Sequence, residues 1–128
     1  MSDDEKITTS VKIPKLSQNA TPVEWGVTRI KIQNVCARRG CLPAFSSVAL
    51  PNLPATETDN DSDAKKKAIK MNRSCMAILF EAFADNETAL AIAYETIHKV
   101  NWPMGHARTT MKEIEAEFER EGFQSKIT

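Results

Sequence analysis

The chain has 128 residues, 41% of them hydrophobic and 27% charged, with 17 Lys plus Arg against 17 Asp plus Glu. That length suits one domain, and the zero formal charge excludes both a polybasic chain that would engage nucleic acid over its whole surface and an acidic, solvating linker. No apolar run approaches the length of about 18 residues that a membrane span requires, and three cysteines are too few, and odd in number, for a disulfide scaffold.

The charge is unevenly spread: residues 6–80 carry twelve bases and five acids, whereas residues 81–128 carry five bases and nine acids. Such a chain can set the basic surface of one copy against the acidic surface of another. The plainer reading is that these charges cover solvated helix faces.

Residues 1–10 read as a mobile polar tail, with Asp3, Asp4 and Glu5 where a secretory signal would carry bases and an apolar stretch. The expected setting is therefore cytoplasmic. Val11, Ile13 and Leu16 alternate with polar residues in a short extended segment, and Pro14 removes a ladder donor from it. Thr21-Pro22-Val23-Glu24 then predicts a helix over 22–39, with Thr21 as N-cap, Glu24 returning its carboxylate to the cap, and Ala20 and Trp25 at the staple positions. Trp25, Thr28, Ile32, Val35 and Cys36 share its inner face, and Gly40 supplies a left-handed stop.

Pro43, Pro51 and Pro54 deny regular structure to a long connection over 41–60, whose first half, with Phe45 and Leu50, is apolar enough to lie against a core. A second helix follows over 63–84, with Ala68, Met71, Cys75, Leu79 and Phe83 in its stripe. Asp85-Asn86 caps a third over 87–100, bearing Leu90, Ala91, Tyr94, Ile97 and His98. Trp102-Pro103-Met104-Gly105 breaks the chain before a fourth over 106–121, with Ala107, Met111, Ile114 and Phe118 on one face and a Gly122-Phe123 stop. The prediction is an all-α fold: a bundle of about four to five helices over 11–123, an extended N-terminal segment, a long proline-rich connection, and a tail over 124–128.

Little in this sequence points to catalysis. No Gly-rich phosphate loop, GxSxG elbow or HExxH occurs, and the glutamates of the fourth helix alternate, so they fan around it. Cys36 and Cys41 lie five apart and neither they nor His98 and His106 have a CxxC or HxxxH spacing, so no metal, cofactor or small-molecule substrate is expected. Cys36 and Cys75 read as small core residues. Lys65, Lys66, Lys67, Lys70 and Arg73 form the densest basic cluster, a candidate contact for RNA or an acidic surface, although Glu57, Asp59, Asp61 and Asp63 lie just upstream and no aromatics interleave. Trp102 in its turn is either a core plug or a contact residue; with Phe45, Leu50 and Met104 it makes the candidate set for self-association or a protein partner.

In order, these features resemble the N-terminal region of the Gag polyprotein of copia-type LTR retrotransposons. The resemblance rests on Ile13-Pro14-Lys15-Leu16-Ser17, on Trp25 opening a helix that ends at Gly40, on the long apolar helix from Ala68 to Phe83, and on Ala107, Met111, Ile114 and Phe118 at offsets 0, 4, 7 and 11. Met111 stands where that family usually has Trp, and the sequence contains no CxxCx₄Hx₄C knuckle, so the knuckle's RNA-binding role does not carry over. The resemblance implies a capsid-like structural domain that forms homo-oligomers, the shell of an intracellular particle around element RNA, which this domain would touch only weakly. Two other readings are a domesticated Gag-like adaptor that binds a protein through its helix surfaces and an RNA-binding module using the 65–73 cluster.

Overall fold

The computed structural model describes residues 12–45, 53–54, 56–99 and 101–127; Leu50 and the predicted tail over 1–10 lie outside them. Helix α1 spans Pro22–Arg38, α2 Asp63–Ala82, α3 Glu87–Ile97 and α4 Ala107–Ile127, with one 3₁₀ turn at Leu42–Phe45. The described residues contain no strand, and none of their helices is long and apolar enough to cross a membrane.

Both ends of α1 form as the local sequence dictates. The Glu24 amide donates to the Thr21 hydroxyl at 3.1 Å, while the Glu24 carboxylate reaches further back and accepts from the Ser17 hydroxyl at 3.3 Å. At the other end Gly40 adopts φ +76°. The Cys41 amide donates to Cys36 O at 2.9 Å and the Gly40 amide to Ala37 O at 3.1 Å, the two bonds of a Schellman turn.

The extended segment acts as a tie rather than a strand. The buried Leu16 donates its amide to Ala82 O at 2.8 Å, satisfying a carbonyl that the end of α2 leaves open. Ser17 O accepts from Asn86 Nδ2 at 2.8 Å, and Gln18 Oε1 accepts from the Glu87 amide at 2.9 Å at the start of α3. Asn86 is the N-cap of α3 and Ser62 that of α2.

The core lies where α1, α2 and α4 meet. The Trp25 indole stacks on Phe118 with ring centroids 5.5 Å apart and 6° between planes, and meets Phe83 at 6.2 Å. Ile32, Val35, Ile78, Leu79, Ala107, Met111 and Ile114 close around them. The long connection returns at Leu53, which is buried and donates to Asn101 O at 2.9 Å.

Two sequence expectations need correction. Helix α4 does not stop at Gly122 but continues to Ile127, so residues 124–127 are helical rather than tail. A glycine inside a helix costs only about 1 kcal/mol relative to alanine, and nothing in Gln124-Ser125-Lys126 breaks the helix. Helix α3 is also rotated from its apolar pattern: it buries Ala89, Ala93 and Thr96 and leaves Tyr94 half-exposed, with Ala91 and His98 on the surface. Small residues allow the helix to pack closely, and Thr96 is drawn inward by hydrogen bonds, donating to Ala93 O at 2.8 Å and accepting from the His106 amide at 3.1 Å.

Candidate functional site

A helix N-terminus leaves several amides without intrahelical partners, and at α4 other elements supply them. Thr96 accepts from His106 N–H, and Asn72, buried in the middle of α2, accepts from Ala107 N–H at 2.8 Å. The Asn72 side-chain amide also donates to Gly105 O at 2.9 Å. His106 accepts from Thr109 N–H through Nδ1 at 3.2 Å, which assigns the proton to Nε2. Trp102 lies half-buried with its indole stacked on this imidazole, centroids 4.1 Å apart. The Trp-Pro-Met-Gly turn is thus a buttressed junction, and Met104 is exposed at its rim.

Burial, reinforced by the Arg108 guanidinium, holds the His106 pKa below the ordinary imidazole value. A depressed histidine is bound as the neutral form, so its contribution is complete above about pH 6.5. It is lost as the pH falls from there through the lower folded-state value. Urea midpoints should therefore drop between pH 7.5 and pH 5.5, and His106→Asn, which retains a capping acceptor, should flatten that drop. An unchanged slope in the variant would contradict the assignment.

The basic cluster at the start of α2 is a mosaic. Lys65 Nζ lies 3.2 Å from Asp61, and Arg73 Nη1 and Lys70 Nζ lie 2.8 and 3.9 Å from the two oxygens of Glu57. Arg73 holds the Glu57 carboxyl below the usual range, and the Thr58 amide, with Lys65, does the same for Asp61. Lys67 is exposed and Lys66 half-exposed. A further basic residue, Arg29, pairs with Glu115 of α4 at 2.6 Å. Part of the contrast between the basic and acidic halves of the sequence is therefore met within one chain.

The outer face of α1 departs from that of an ordinary surface helix. Trp25, Ile32, Val35 and Cys36 are buried on one side, yet Val23, Val27 and Ile30 on the other are 76%, 50% and 54% exposed. Their i, i+4, i+7 spacing aligns them in one stripe. Phe45, by contrast, is half-buried and packs against the core from the 3₁₀ turn.

The three cysteines converge. Cys36, Cys41 and Cys75 are all buried, and their sulfurs lie within 4.8 Å of one another. Counting CxxC spacings misses this because the Schellman turn folds Cys41 back beneath Cys36; a Gly one residue before the second cysteine was the available signal. Cys75 approaches from the middle of α2, its thiol 3.0 Å from Cys41 O. Hydrogen bonding from Cys75, assisted by Cys41 and the nearby Arg39 charge, holds the Cys36 thiol below the ordinary value despite burial. The same pairing pushes Cys75 up, and burial pushes Cys41 up.

No family model, curated protein or solved structure matches this chain.

Proposed function

We propose that the protein is a structural, self-associating domain, a capsid-like building block of the Gag type, and that the outer face of α1 is its contact surface. The observation that carries this reading is the exposed Val23, Val27 and Ile30 stripe on a helix whose opposite face already fills the core. A helix that is apolar on both sides is expected to be covered on both.

A second copy is the occupant that best fits the flanking charges. Glu24 and Lys31 are exposed at opposite ends of the stripe. Two α1 helices packed antiparallel across a two-fold axis near Val27 would set Glu24 of each against Lys31 of the other, a self-complementary patch. A protein surface is favoured over RNA because Lys65, Lys70 and Arg73 are engaged by Asp61 and Glu57. Light scattering over a concentration series, with negative-stain imaging at the upper end, tests the proposal. A rise in mass with concentration, at least to the dimer that this two-fold contact closes, is expected, and a strictly monomeric chain at millimolar concentration would contradict it.

A further inference from the structure

Three thiols of different origin meet at one buried point: Cys36 on the last turn of α1, Cys41 just beyond Gly40, and Cys75 on α2. Buried cysteines commonly serve as small apolar residues, but that role does not require three sulfurs to face one another. We propose that Cys36, Cys41 and Cys75 form a three-thiolate site for a soft, thiophilic d¹⁰ metal ion, with Cu(I) the ion whose coordination they complete.

Geometry and ligand chemistry both favour this assignment. Metal–sulfur bonds of about 2.3 Å put the three sulfurs of a trigonal site roughly 4.0 Å apart. The observed separations, all within 4.8 Å, therefore need to contract by under about 1 Å, which side-chain rotation can supply. Thiolates select soft ions. Zn(II) takes four ligands in structural sites, and among the described residues no His, Asp or Glu joins the three sulfurs. Cu(I) is satisfied by three. On binding, three S–H bonds break, three Cu–S bonds form and three protons pass to solvent, with no electron transferred. The Cys75 hydrogen bond to Cys41 O is given up, and Arg39 lies close enough to Cys36 and Cys41 to offset part of the negative charge created.

The test is anaerobic titration of the reduced chain with Cu(I) against a chromogenic Cu(I) chelator, with Zn(II) titrated in parallel. One Cu(I) per folded chain is expected, with three sulfur neighbours in X-ray absorption and a rise in Tm, because the ion binds the native state. The urea-unfolded chain carries the same thiols without their arrangement and should bind at least about 100-fold more weakly. Cys75→Ala, checked for helicity by circular dichroism, should weaken binding by a similar factor, the upper end of what loss of even an outer-shell partner costs. Equal retention of Cu(I) by folded and unfolded chains would overturn the proposal. So would two sulfur neighbours instead of three, or preferential uptake of Zn(II) with a nitrogen or oxygen fourth ligand.

Discussion

Asn72→Ala is expected to destabilise the fold by about 2–6 kcal/mol, because it strands two buried backbone groups at about 1–3 kcal/mol each. The groups are Ala107 N–H, which the Asn72 carbonyl accepts, and Gly105 O, to which its amide donates. In a chain of this size that corresponds to a fall in Tm of about 8–24 °C. Chemical denaturation of the wild type, Asn72→Ala and Asn72→Leu separates hydrogen bonding from volume. Leu keeps the branched shape at a somewhat larger volume but makes neither hydrogen bond, so it should remain nearly as destabilised as Ala. Recovery of stability in Asn72→Leu would show that packing, not the polar bridge, holds α2 to α4.

Gly105→Ala should cost a comparable amount, by a different mechanism. Gly105 has φ +88°, a region where a Cβ costs about 1–2 kcal/mol. A Cβ at this position would also fall 2.6 Å from Met76 Cε and 2.9 Å from Thr96 Oγ1. Met76 ends in a flexible methyl group that can swing aside. Thr96 cannot readily move, since it is bonded to Ala93 O and to the His106 amide. Overpacking adds about 1–3 kcal/mol, so the total is about 2–5 kcal/mol. Gly40→Ala is the control: φ is +76° there but nothing lies within 4 Å of the added Cβ, so only the backbone strain should register. A double-mutant cycle of Gly105→Ala with Thr96→Ala, which removes the obstructing hydroxyl, should show favourable coupling. Equal losses at the two glycines, with no coupling, would contradict the close approach.

These two positions also mark where reading the sequence stops. Elements set by local chemistry were legible from residue types alone. The Thr21 cap, the Gly40 stop, the Asn86 cap and the buried face formed by Ala107, Met111, Ile114 and Phe118 all occur where the pattern puts them. Features that depend on partners distant along the chain were not legible. Asn72 stands among Lys70, Arg73 and Ser74, where it reads as one more polar helix residue, and its role comes from backbone atoms 33 and 35 residues away. Thr96 turns α3 away from its apolar stripe for the same kind of reason. Helix α4 runs past Gly122 because a glycine signals a stop only where the chain needs a positive φ.

The candidate site divides along the same line. Basic residues 65–73 were visible as a cluster, but which of them pair with Glu57 and Asp61 depends on how the preceding loop folds back. The outer stripe of α1 could be counted in the sequence, yet its exposure becomes apparent only once Trp25, Ile32 and Val35 have claimed the opposite face. The thiol trio needed both the Schellman turn and the packing of α2 against it.

We propose that this chain works through its exterior, by pairing the outer faces of two α1 helices. Sedimentation velocity on the wild type and on the Val27→Glu, Ile30→Glu double variant tests it most directly. Both residues are exposed, so the variant should fold with stability near that of the wild type. It should associate at least about 10-fold more weakly, the equivalent of about 1.4 kcal/mol. A variant that sediments as the wild type does at every concentration would contradict this pairing.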